Sequence, residues 1–126
     1  MVDGNDHSSM WVTTAKGEAV LFKVTASEGQ TDTMFILSQL AEWYSKMFDN
    51  YRVSYGRILV ARVRADDEEH KDKYPYEWIG GKGPIPQSHI TVTANGESPA
   101  GEFLVYTEVD WADEEQYNTF VFRTYS

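Results

Sequence analysis

The chain contains no cysteine. That removes disulfides, thiolate metal sites and cysteine nucleophiles together, and it argues against a disulfide-stapled secreted module. Long apolar runs are missing too: nothing approaches the ~20 residues that a membrane-spanning helix needs. The N-terminal stretch "MVDGNDHSSM" lacks the basic-then-apolar order of a secretory signal. Positive charge is scarce, with 11 Lys and Arg against 20 Asp and Glu and a formal net charge of -9. Nonspecific affinity for nucleic acid comes mainly from neutralising phosphates, so strong nucleic-acid binding is not expected. A membrane partner is not expected either.

What remains is enough for one folded unit. A length of 126 residues fits a single domain, and 41% hydrophobic with 14% aromatic residues supplies a core. Residues 1–9 are polar and small, and read as a flexible tail; residues 10–126 then form the globular domain.

Along that domain "MWVTTAKGEAVLFKVTA" reads as two strands around "AKGE". Val20, Phe22 and Val24 alternate with Leu21 and Lys23, so both faces of the second strand are partly apolar. "SEGQTDT" reads as a loop offering Asp32 or Thr33 as a helix cap. In "MFILSQLAEWYSKMF" the residues Leu37, Leu40, Ala41, Tyr44, Met47 and Phe48 recur at spacings of three and four. That spacing predicts an amphipathic helix over about 34–48. "YRVSYGRILVARVRA" reads as a strand whose apolar phase slips after Gly56, as a bulge at Gly56 and Arg57 would cause. Residues 66–88 show no period and carry glycine and proline breakers, which predicts a long loop. "SHITVTA", "GEFLVYTEVDWA" and "YNTFVFRTYS" read as three further strands. The predicted class is α+β, mainly β: one antiparallel sheet of about five to six strands with the helix packed on it.

Catalytic signals are weak. His7 lies near Asp3 and Asp6, His70 in an acidic run and His89 at a strand start, none with a partner at metal-ligand spacing. "GGKGPIP" lacks the spacing of a phosphate loop, and no nucleophile-elbow pattern occurs. A non-enzymatic role without cofactor or metal is therefore expected. Binding signals are stronger. Tyr74, Tyr76 and Trp78 in "KYPYEWIG" are rigid aromatic anchors of the kind that meet a protein or sugar partner; the other use of Trp78 and Ile79 is to cap the core. Residues 46–64 hold five bases against one acid, and residues 65–126 hold 13 acids against four bases. Arg62 and Arg64 share a parity and project from one strand face. They either remain solvated or dock onto acids, namely Glu108 and Asp110 of the same chain or those of a second copy.

The stretch "LAEWYSKMFDNYRVSYGRILVARV", with Phe48, Asp49, Tyr51, Arg52 and Val53 at its centre, resembles the helix-into-strand segment of icosahedral virus coat proteins of the jelly-roll type. "GEFLVYTEVDW", residues 101–111, is similar to the last strand of such shells. The resemblance covers residues 40–64 and 101–111 and implies an eight-stranded fold that self-assembles into a shell. This chain departs from the pattern in lacking a basic packaging arm and in showing one apparent loop between Arg64 and His89, where the family has strands. The expected function is a structural or protein-interaction domain, coat-like and self-associating, acting in the cytoplasm or in a virion. The alternative is a small acidic binding module on a protein partner, either a cystatin-like helix on a sheet or a nucleic-acid mimic.

Overall fold

The computed structural model describes residues 8–26, 30–39, 53–63, 76–98, 101–111 and 119–125. Within them run eight strands: β1 Ser8–Thr13, β2 Ala19–Ala26, β3 Gln30–Gln39, β4 Tyr55–Val63, β5 Tyr76–Ile85, β6 His89–Ser98, β7 Gly101–Asp110 and β8 Thr119–Tyr125. They form two four-stranded sheets, ordered β1-β8-β3-β6 and β2-β7-β4-β5. Every pairing is antiparallel.

Four of the pairings are nested: β1 with β8, β2 with β7, β3 with β6 and β4 with β5. That is one long hairpin, four strands out and four back. It is rolled up so that β8 also joins β3 and β7 also joins β4. Two sheets with this connectivity make the jelly-roll sandwich, an architecture that viral capsid proteins, lectins and cupins share.

The all-β architecture corrects the predicted α+β class with its single sheet of five to six strands. No helix occurs among the described residues. The predicted helix over 34–48 is overturned where it can be compared, because Met34–Gln39 is the second half of β3. There the side chains follow a period of two. Thr33, Phe35, Leu37 and Gln39 point into the sandwich and are buried, while Met34 and Ile36 lie on the other face, half-buried. A run of "MFIL" satisfies both periods over so short a span, and cross-strand partners on β6 and β8 decide for strand. The rest of the stripe, Leu40 to Phe48, lies outside the described residues.

Three further expectations change. Asp32 is no helix cap: it sits within β3 in the left-handed region (φ 51°), where the register against β6 shifts, a conformation that short polar side chains tolerate. The phase slip in β4 does not exist. Ile58 and Val60 face the core, Tyr55 simply faces outward, and the register against β7 runs unbroken from Tyr55 to Arg62. The extra residues sit across the pair, in β5. Gly56 to Ile58 opposes Ile85 to Lys82, and Val60 to Ala61 opposes Gly80 to Trp78. Those two bulges also explain why residues 76–85 looked like loop, since each one reverses the alternation that marks a strand. Finally, Ser8 and Ser9, read as tail, already pair with β8.

The core is the space between the sheets. Phe35 of β3 meets Phe103 of β7 edge-on at 5.1 Å, and Phe22 of β2 stacks on Phe122 of β8 at 4.3 Å. Rings thus stitch one sheet to the other at two places. Trp111, fully buried, closes one end and donates its indole N–H to Thr14 Oγ1 at 2.9 Å. At the same end the Gln39 side chain links the end of β3 in one sheet to the residue before β4 in the other. Its Nε2 donates to the Ser54 carbonyl at 2.7 Å and its Oε1 accepts from the Ser54 N–H at 2.8 Å. Sequence positions far apart in the chain are thereby tied around one buried amide.

Candidate functional site

In a sandwich the residues alternating with the core positions face outward, and in most such sheets they are polar. The outer face of β2-β7-β4-β5 departs from that rule. One cross-strand row runs Leu21, Tyr106, Leu59, Gly81; the next runs Lys23, Leu104, Ala61, Trp78. Val63 opposite Tyr76 continues the apolar area toward the next row. Leu21, Tyr76 and Trp78 are 60%, 52% and 63% exposed. Leu59, Ala61, Val63, Leu104 and Tyr106 are half-buried beside one another. Contiguous exposed apolar surface of this kind marks interaction sites on soluble domains.

Trp78 is seated by a glycine. A Cβ on Gly81 would come within 2.8 Å of the Trp78 Cη2 and 2.6 Å of the Leu59 Cδ2. The missing side chain leaves the floor on which the indole rests beside Leu59. A large ring held against the sheet loses little freedom on binding, which suits it as an anchor.

Charge frames the apolar rows on one side. Arg57 lies in register with Glu108, and Tyr106 donates its hydroxyl to Glu108 Oε2 at 3.1 Å. Burial raises the Tyr106 pKa above its ordinary value of 10.0. The hydrogen bond to Glu108 and that carboxylate's charge raise it further, while Arg57 works in the opposite direction. Tyr106 therefore stays neutral across the physiological range, with its hydroxyl held by Glu108.

The structure separates the residues that the sequence grouped. Tyr76 and Trp78 do come together, on the outer face of an edge strand and not on a loop. Trp78, 63% exposed, does not cap the core; Ile79 packs against it from the partly buried side. Arg62 lies on the opposite face of β4, in register with the core residue Phe103. It makes a double contact with one carboxylate oxygen of Glu77, at 2.6 Å from Nη2 and 3.0 Å from Nε. Of the alternatives for Arg62, docking on Glu108 or Asp110 of the same chain is not what the structure shows: within the chain its partner is Glu77, while Glu108 accepts from Tyr106 and Asp110 pairs with Lys16 at 3.6 Å. Tyr74 and Arg64 lie outside the described residues.

The sequence reading gave no binding role to Leu21, Leu59, Leu104 or Tyr106, all of them members of the face. Their signal was present as strands apolar on both faces, visible where Leu21 interrupts Val20, Phe22 and Val24. Comparison with known proteins found no matching family model, no matching curated protein and no matching solved structure.

Proposed function

We propose that this domain is a non-enzymatic structural module, a coat-like building block that associates with further copies of itself through the outer face of β2-β7-β4-β5. The observation that carries the reading is the pair of adjacent apolar rows from Leu21 to Gly81 and from Leu104 to Trp78. A fold shared by capsid proteins, lectins and cupins does not select among their functions, so the surface has to do so. This surface offers flat apolar area with Trp78 and Tyr76 as anchors, which is the chemistry of a protein contact. The helix-on-sheet version of the acidic binding module falls with the all-β fold.

Sedimentation of the wild type against the double variant Leu21→Ser with Trp78→Ser tests the proposal. Both side chains are more than half exposed, so the variant keeps its fold. The expected result is association of the wild type with rising concentration and a shift of the variant toward smaller species. A wild type that stays monomeric at millimolar concentration refutes self-association, and a protein partner then becomes the occupant of the face.

A further inference from the structure

The face described above is about six residues long and three strand spacings wide, roughly 20 by 14 Å. That is well short of the ~800 Å² per partner typical of stable complexes. A module that builds larger structures therefore needs a second contact, and among the described residues four strands stand at sheet edges: β1 and β6 in one sheet, β2 and β5 in the other.

Three of these edges carry devices that discourage pairing with another chain. β5 has two register shifts, with Lys82 and Pro84 in its second half. β6 has a register shift of its own and includes Asn95, Gly96 and Glu97. β2 holds Lys23, exposed, at its centre. Charged side chains, proline and bulges are the usual protection of natural edges. β1, "SSMWVT", has none of them. It is the one strand of the eight without a charged residue, and its six pairs with β8 run without a shift.

β1 carries exposed apolar side chains on both of its faces. Trp11 is 66% exposed, and Met10, on the side that bears Val12 and the core, is 44% exposed. One additional strand laid alongside would shelter both at once, which a partner docking on a single face would not.

We infer that β1 is where a second copy of this chain adds its own β1, antiparallel, continuing the β1-β8-β3-β6 sheet across a two-fold axis. The inference rests on the self-association proposed above but uses a different surface. The occupant follows from the strand's chemistry. A partner of opposite charge would need charges to select it, and β1 provides none. Two copies that each carry a net charge of -9 approach at least cost along a neutral strand. An isologous contact also requires one patch that is complementary to itself, which two antiparallel edge strands satisfy through main-chain hydrogen bonds alone.

The decisive measurement is amide exchange at low and high protein concentration, together with sedimentation of two variant pairs. In an edge strand alternate N–H groups point away from the neighbour. Within residues 9–13 those amides are expected to exchange at least tenfold more slowly in the associated state. Contact through the Leu21–Trp78 face predicts no such change in β1. Ser9→Lys with Trp11→Lys places charge on two exposed positions and is expected to abolish this protection. It also brings the chain closer to neutrality, which by itself favours association, so a loss cannot be blamed on net charge; thermal unfolding checks that the pair still folds.

With both surfaces active, the wild type forms species beyond a dimer and either variant pair stops at a dimer. If the face variant dissociates the protein to monomers and β1 shows no concentration-dependent protection, the edge contact is refuted and the face stands. If the edge variant alone yields monomers, the edge contact stands and the face reading fails. A monomeric wild type overturns both.

Discussion

Replacing Gln39 by methionine keeps nearly the same length and volume but removes both hydrogen-bonding atoms of the side chain. Gln39 is 2% exposed and Ser54 is 3% exposed, so water does not readily replace what is lost. The substitution deprives the Ser54 carbonyl of its 2.7 Å donor and the Ser54 N–H of its 2.8 Å acceptor. Breaking a buried hydrogen bond costs about 1–3 kcal/mol, so the two together cost roughly 2–6 kcal/mol. The gain from burying a thioether instead of an amide returns part of this, which places the expected loss near 2–4 kcal/mol. The main-chain bond from Gln39 N–H to the Ser88 carbonyl at 2.7 Å is unaffected, so the β3 end itself stays in place. Urea denaturation gives the answer: with a slope of ~1–3 kcal/mol/M the midpoint falls by about 1–2 M, with the slope unchanged. A loss below about 0.5 kcal/mol would show that the amide does not hold the entry to β4, and that the pairings of each strand within its own sheet suffice at this end.

Gly81→Ala brings a methyl group against the ends of Leu59 and Trp78. The Leu59 end can turn aside, but the indole is rigid and the Ile58 carbonyl, 3.2 Å from the added Cβ, is main chain, so stability should fall by about 1–3 kcal/mol while Trp78 is pushed off its seat, read as a change in its fluorescence. For Tyr106 the raised pKa means that its contribution to stability is fully present below the ordinary tyrosine value and is lost as pH climbs through the higher folded value. Spectrophotometric titration should show one phenol ionising later than pH 10.0, absent in Tyr106→Phe and shifted down in Glu108→Gln. Arg62→Gln breaks a pair whose side chains are 23% and 39% exposed. A loss of about 0.5–1 kcal/mol, smaller in high salt, is expected; the same loss with no salt dependence would mean that packing, not charge, was removed.

Strand content was legible wherever alternation was unbroken. Phe103, Val105, Thr107 and Val109 of β7 carry a clean period of two, and all four are buried. β5 was not legible, because Ile79 and the Gly83–Pro84 region each add a residue that inverts the phase, and a bulge is visible only against its partner strand. β3 was misread for a different reason. Apolar residues on both of its faces, Phe35 and Leu37 inward with Met34 and Ile36 outward, fill helical spacings as well as strand spacings. The same property hid the interaction face: Leu59 and Leu104 look like ordinary core residues until the pairing shows that Ile58, Val60, Phe103 and Val105 occupy the core. Trp78 and Tyr76 could be picked out from residue type alone, whereas their neighbours depended on which strands lie side by side, and that is set by nested pairings such as β2 with β7, more than 70 residues apart in the chain.

The charge asymmetry of the sequence suggested that copies attract through complementary patches, and the structure assigns the charges differently. Lys16 pairs with Asp110 and Arg62 with Glu77, so two of the bases are paired within the chain, and a third, Arg57, sits in register with Glu108. The two surfaces argued for assembly are an apolar sheet face and an uncharged strand edge, neither of which gains from a cationic partner. Between copies the net charge of -9 then acts only as repulsion. Salt shortens the reach of that repulsion to ~10 Å at 0.1 M and ~3 Å at 1 M, while leaving apolar burial and main-chain hydrogen bonds intact. Association should therefore strengthen as sodium chloride rises from 0.05 to 0.5 M, by up to about tenfold in the dimer constant, roughly 1.4 kcal/mol. Assembly through matched acidic and basic patches demands the opposite slope. Sedimentation across that salt range distinguishes them by sign alone, and weakening with added salt would return the contact to the charged residues.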